Sequence, residues 1–344
     1  MASEVLVFDR SGTRLATFTA DVARSWVLND VGEATFTLPT SDEHCRQGVL
    51  EYGNLVVVRH EKVQPWVGVF YPPRDWGRFQ VTPTAYSAEL LLHFRRGIPG
   101  RRLTGTAGGI FEAMLEIANH AEDTLMRAGS IWRGGIMREE TMETNSLLIS
   151  AQRLAQRSGN EFGVEMELLP DGKLSLLAHW WQTRGAGRQY ALIEGKNIEA
   201  GSTPWSEQGE IENDILGYGD GATWQSRPQY TALNAASRRR YGLMQGSVFF
   251  EGVTQPSTLQ QNTESELRVR PHPRNTFRLS ALDQDETWQQ VRLGDTLPLD
   301  LHTVGFAGGG GFGKRTRVRV VGMALREERG ILELVVDEVL SDET

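Results

Sequence analysis

Between residues 144 and 181 the apolar positions change their period. Leu147, Leu148, Ala151, Leu154 and Ala155 recur at three- and four-residue steps, which places them on one face of a helix over 144–157. Thr144 or Asn145 is expected to cap that helix, and Gly159 to end it in the left-handed conformation. From Phe162 the period falls to two. Phe162, Val164, Met166 and Leu168 alternate with polar or charged residues, Pro170-Asp171-Gly172-Lys173 supplies a turn, and Leu174, Leu176, Ala178 and Trp180 alternate on the return. A helix feeding a hairpin with matched apolar faces predicts one packed unit.

On either side of this unit the pattern is mostly that of strands. Strands are expected over 4–8 and 15–19, with Asp9-Arg10-Ser11-Gly12 as the turn, and along the face formed by Ala34, Phe36 and Leu38. Further strands are expected over 54–59, 65–71 and 77–83, so the first ninety or so residues read as a small barrel or sandwich. The texture changes between 86 and 132. An apolar run occupies 88–94, and Thr106-Ala107-Gly108-Gly109 opens a helix carrying Ile110, Phe111, Met114, Leu115, Ile117 and Ala118 on one face. Later come a short strand over 213–219 and a stretch over 225–256 with no clear period. Leu259, Thr263 and Leu267, four apart, predict a helix, and β texture returns over 276–279, 295–301, 316–325 and 331–339. The fold class is therefore α+β and β-rich.

Length and composition narrow the functions available. A chain of 344 residues can bury several cores, and 39% hydrophobic with 23% charged residues is ordinary for a globular protein. No apolar run is long enough to cross a bilayer, and residues 1–9 do not read as a signal peptide. One cysteine, Cys45, excludes an intrachain disulfide and leaves too few thiolates for a zinc or iron–sulfur site. A formal net charge of −8 argues against a general nucleic-acid binder.

No stretch assembles a reactive constellation. Gly308 through Gly313-Lys314 has the spacing of a phosphate-binding loop, but Arg315 stands where magnesium needs Ser or Thr. The alternation of Arg317, Val318, Arg319 and Val320 also predicts a strand, not the helix whose N-terminus would face phosphates, so the run reads as a glycine tip between strands. His44-Cys45 is an isolated pair, and the other histidines lack metal-ligand spacing. Glu139, Glu140 and Glu143 could serve a glycan-cleaving enzyme, yet their place just before the helix favours stabilisation of its positive end. Arg238-Arg239-Arg240 and the trio Arg268, Arg270 and Arg274 read as solvated faces or subunit contacts. The nine tryptophans read as buried packing with some interface anchors. No catalytic, cofactor or metal residue is assigned.

In order along the chain, several runs resemble the hub protein at the tip of phage tails and related injection machines. They are Trp26, Asn29-Asp30-Val31-Gly32 and Ala34 to Pro39; then Gly53, Val56-Val57-Val58, Trp66-Val67-Gly68-Val69 and Leu90-Leu91-Leu92. Ser158-Gly159 through Phe162 to Asp171-Gly172-Lys173-Leu174 follows. Tyr241-Gly242, Leu259 and Leu267, Leu293-Gly294-Asp295 and Arg317-Val318-Arg319-Val320 complete the set. The resemblance implies two small β-barrel hub domains, 1–95 and 201–344, the second with a helical insertion near 255–270. A mixed helix-plus-hairpin domain, 96–200, would lie between them. It also implies a non-enzymatic virion protein, made in the bacterial cytoplasm and placed at the tail tip. As a homotrimer it would join the hexameric tail tube to a central fibre or spike and form the gated channel for DNA ejection. Its implied partners are its own copies, the tail tube, distal tail and tape measure proteins, and the central fibre or spike. DNA would pass transiently, with no stable nucleic-acid or membrane binding and no cofactor. Some relatives of this fold hold an iron–sulfur cluster through cysteines, which one Cys does not allow. A tail-associated cell-wall hydrolase or protease and a distal-tail or sugar-binding adaptor stand as alternatives. An acidic excess on the pore-facing surface, with Arg238 to Arg240 away from it, would keep DNA from adhering.

Overall fold

The computed structural model describes residues 2–200, 205–283, 286–302 and 313–339. Ser3–Phe8 and Arg14–Ala20 form the expected opening hairpin, and Ser3–Phe8 also pairs with Leu55–His60. Leu55–His60 pairs with the 14-residue strand Val63–Trp76, which turns back into Gln80–Ser87. The strand expected over 77–83 therefore starts late, because Gly77–Phe79 make the turn: the Gly77 amide donates to the Gln80 carbonyl at 2.8 Å.

The largest sheet joins both ends of the chain. Val22–Val27 pairs with Glu33–Phe36 on one side and with the far end of Lys314–Arg326 on the other. Lys314–Arg326 continues into Ile331–Glu338, then Arg274–Leu282 and Trp205–Gln208. The result is a 14-stranded sheet. Its described pairings form an open path with Arg14–Ala20 at one end and Trp205–Gln208 at the other, so no closed barrel is seen among the described residues. Period-two alternation explains the core on its inner face. Val5, Val7, Val56 and Val58 from the first strands pack in one cluster with Phe277, Leu279, Val318, Val320, Leu334 and Val336 from the last.

A polar latch locks this seam. Glu327, at the end of Lys314–Arg326, is buried and accepts from the Ser3 and Val22 amides, each at 3.1 Å. It also pairs with the Arg24 guanidinium and accepts from the Ser3 hydroxyl. A buried carboxylate is tolerated only with such satisfaction.

The other face of the opening strands supports the mixed unit. Leu6, Phe8, Val57 and Val69 pack against two helices, Ala107–Ala121 and Leu147–Ser158. The faces read from the sequence are the buried ones, and Gly159 ends the second helix at φ 65°. The cap is corrected to Ser146, whose hydroxyl accepts from the Ile149 amide at 3.3 Å. The Asn145 carbonyl accepts instead from the Gly97 amide at 3.0 Å, and Ser146 is the residue with the extended backbone of a cap. Glu161–Leu168 and Leu174–Trp181 form the predicted hairpin, and Met126–Ile131 adds a parallel third strand. Phe111 and Phe162 pack on Trp180, with ring centroids 4.9 and 6.1 Å away.

A small module interrupts the second half of the chain. Asp214–Tyr218 lies between Gln229–Leu233 and Gln245–Phe249, and the helix Pro256–Val269 covers one face. This helix is the one expected near 255–270. The module's core is slight: Phe250, Val253 and Leu259, with Tyr230 and Val248 against them.

Candidate functional site

Among the described residues none of the sequence candidates comes together as a catalytic centre. Glu139 and Glu140 lie in the strand Arg138–Thr141, which pairs with Arg102–Gly105. Each acidic side chain meets an arginine: Glu139 with Arg102 at 3.2 Å, Glu140 with Arg157 at 3.2 Å, and Glu143 with Arg153 at 3.0 Å. The expected stabilisation of the helix N-terminus is corrected. No acidic residue occupies the first turn, and Glu140 instead meets Arg157 in the last turn. The His44 ring donates from Nδ1 to the Asp42 carboxylate at 2.9 Å and packs on Phe18, while Cys45 is a half-buried free thiol. Among the described residues no cluster of three His, Cys, Asp or Glu could hold a metal.

The basic runs divide. Arg238 to Arg240 are exposed on the short helix Ala235–Tyr241. Arg270 is structural, bridging Glu212 at 2.6 Å and Glu266 at 2.7 Å, and Arg268 reaches Ser265. The Arg274 side chain and the glycine run 308–312 lie outside the described residues, although Lys314–Arg326 does form the strand expected after that run.

Sequence reasoning missed Arg138. Its guanidinium is buried and donates to Asn262 at 3.2 Å, to the Arg157 carbonyl at 2.9 Å, and to Gln261. Burial pushes its pKa down to about 10, against the opposing pull of Glu140. It therefore ties the module's helix to Leu147–Ser158, and no local periodicity marks such a residue.

A cleft of about 360 Å³ separates the large sheet from the mixed unit, lined in part by Trp26, Trp66, Glu89, Glu165, Trp181 and Arg184. Its charged groups serve one another: Arg184 meets Glu165 at 3.0 Å, and Arg188 meets Asp295 at 3.0 Å. Glu89 accepts from the Val164 amide at 2.8 Å, and burial pushes its carboxyl pKa up. His179 accepts the Ser130 amide on Nδ1, and burial pushes its imidazole pKa down. The Arg188–Asp295 and Glu89–Val164 contacts join units, and none of the groups just described is an activated nucleophile.

The most prominent surface lies at the tip of the hairpin Val63–Trp76 and Gln80–Ser87. Trp76 is 61% exposed and Phe79 is 72% exposed. The Arg74 guanidinium lies 4.4 Å from the Tyr52 ring centroid and 6.0 Å from that of Trp76, and Arg78 lies 5.1 Å from that of Phe79. The Phe79 carbonyl accepts from Thr40, which braces the tip from the other side. Exposed aromatics with stacked arginines on a braced hairpin have the composition of protein-interface anchors. The tryptophan expectation divides accordingly: Trp26, Trp66, Trp180 and Trp288 are buried, while Trp76 and Trp224 are presented to solvent.

No family model matches the sequence, and no curated protein matches it. Solved structures do share the fold. The 43 kDa tail protein of prophage MuSo2 from Shewanella oneidensis aligns with a TM-score of 0.63 at 10% identity, covering 98% of both chains. Prophage tail protein gp18 from Listeria monocytogenes aligns at 0.61 and 15% identity, covering 97% of this chain and 94% of that one. A chain of the phage P2 baseplate in its activated conformation aligns at 0.50 and 11% identity, covering 99% and 100%. The fold is thus that of phage tail proteins, consistent with the tail-tip hub resemblance.

Proposed function

We propose that this chain is a structural tail protein, the tail-tip or baseplate hub of a phage-like particle. End-to-end correspondence with a prophage tail protein, 98% of each chain, carries the proposal, because a shared module alone would align only in part. In this reading residues 1–95 and 201–344 supply two barrel-like halves, and 96–200 supplies the mixed domain between them. Three copies close a ring that matches six tube subunits, since closed cyclic symmetry ends such contacts. The aromatic hairpin tip docks on a tail neighbour: the tube, distal tail or tape measure protein, or the central fibre or spike. The pairing of Glu139, Glu140 and Glu143 with arginines favours this role over a hydrolase.

Imaging of intact particles labelled on this chain tests the proposal, with label expected only at the tail tip. Light scattering tests the ring, and a closed hexamer of this chain in the assembled tip refutes it. An acidic pore surface is expected for DNA passage, and a lumen lined chiefly by Arg and Lys contradicts that expectation.

A further inference from the structure

The module inserted between Trp205–Gln208 and Arg274–Leu282 has one open sheet face. Ile215 and Gly217 face its helix, and a Cβ at Gly217 would strike Thr263. Strand alternation therefore turns Leu216 and Tyr218 the other way, beside Phe249 on the neighbouring strand. Tyr218 packs against Phe249 at 5.3 Å and against Trp224 at 5.2 Å, and the Arg227 guanidinium lies 5.3 Å from the Phe249 centroid. Trp224 is 49% exposed and Phe249 is 42% exposed. The rest of the face carries Gln229, Thr231, Gln245 and Ser247, exposed and uncharged hydrogen-bonding residues, with Leu233 and Asp214 at the end away from the aromatics.

We propose that this face binds a neutral oligosaccharide, with Trp224 and Phe249 as stacking platforms and the glutamine, hydroxyl and Arg227 groups bonding to sugar hydroxyls. Size argues against a protein partner. Three strands of five residues span roughly 10–15 Å by 13–17 Å, a small fraction of the roughly 800 Å² per side that a stable protein interface requires. Charge argues against single-stranded nucleic acid, which needs cations along its backbone track. Arg227 is the cation at the aromatic end, and Asp214 adds a carboxylate to the face. Arg238 to Arg240 follow Leu233, which pairs with Asp214 at the opposite end of the strands.

The test is titration of the full chain, by calorimetry and tryptophan fluorescence, with N-acetylglucosamine tetramer and with purified neutral cell-wall polysaccharide. Binding of at least one, insensitive to salt, is expected. Trp224→Ala and Phe249→Ala should each raise Kd roughly tenfold, about 1.4 kcal/mol, with unchanged melting temperature, while Trp76→Ala at the distant hairpin leaves Kd unchanged. Failure to bind either glycan overturns the proposal. So does equal binding by the Trp224 and Phe249 variants, or salt-sensitive binding of oligo-dT in place of the glycans. None of these outcomes depends on the tail assignment, which particle imaging tests separately.

Discussion

The seam between the chain's ends and the inserted module solve the same problem with different means. At the seam, strands some three hundred residues apart share a ladder, an apolar core and a buried carboxylate that accepts from Ser3, Val22 and Arg24 together. The module buries few apolar side chains; Arg138 docks it on the mixed unit through Gln261 and Asn262, and inside it Asn213 bridges Gly242 and Met244. Apolar burial is non-directional and adds with area, whereas polar docking depends on a few groups with fixed geometry. The seam should open only with global unfolding, and the module should open on its own at lower cost.

The comparison breaks first at Glu327. Glu327→Ala leaves the Arg24 charge buried without its partner, and a loss of about 3–5 kcal/mol is expected in denaturant unfolding. Replacing Arg24 and Glu327 together by apolar residues of similar volume should recover only the part due to the buried charge, because the Ser3 and Val22 amides still lack an acceptor. If Glu327→Ala costs under about 1 kcal/mol, the latch does not hold the seam. Next is Arg138→Ala, which strands the Asn262 and Gln261 side chains and the Arg157 carbonyl, at about 2–3 kcal/mol. Hydrogen exchange should show faster amides across 211–273 with the seam strands unchanged; uniform acceleration would mean the module is not a separate unit.

A third change sharpens the boundary between the large sheet and the mixed unit. The folded pKa of Glu89 is raised by burial, so its contribution is fully present below the unfolded carboxylate pKa and is lost as pH rises through the folded one. Glu89→Gln keeps an acceptor for the Val164 amide and removes the buried charge. It should stabilise the protein at pH 7–8 by on the order of 1 kcal/mol, with the gain vanishing below about pH 4. An equal gain at both ends of that range would exclude titration as the cause. Of similar size, Ser146→Ala should cost about 1 kcal/mol through the lost cap, while Thr144→Ala should cost less. Smallest of all, Trp76→Ala should change stability by under about 0.5 kcal/mol while weakening assembly with tail neighbours in pull-down.

What could be read from the sequence was local. The faces of Ala107–Ala121 and Leu147–Ser158 and the turn at Pro170 to Lys173 carry their signal within a few residues. The pairing of Val22–Val27 with Lys314–Arg326 has no such signal, because each strand's alternation says which face is buried and not which strand lies beside it. The stretch 225–256 carries no clear period because its two strands are five residues each and mix apolar with polar residues on the face left open. Glu139 and Glu140 precede a helix along the chain, but their strand pairs with Arg102–Gly105 and carries Glu140 to Arg157 in that helix's last turn, so nearness in sequence is not nearness to its N-terminus. Of the candidate surfaces, tryptophan content hinted at anchors, but only the fold separates Trp76 and Trp224 from the buried rings.

The seam also sets a timetable for synthesis. Val22–Val27 leaves the ribosome early, yet its partner Gly322 to Arg326 is made about three hundred residues later. At about 5–20 residues per second, one edge of that strand waits on the order of 15–60 s for its neighbour. Unpaired edges recruit strands from other chains. Newly made copies translated close together on one message are therefore the nearest source of misassembly. Slowing translation, or crowding ribosomes on the message, should lower the soluble yield more than it would for a protein whose early strands pair with one another alone.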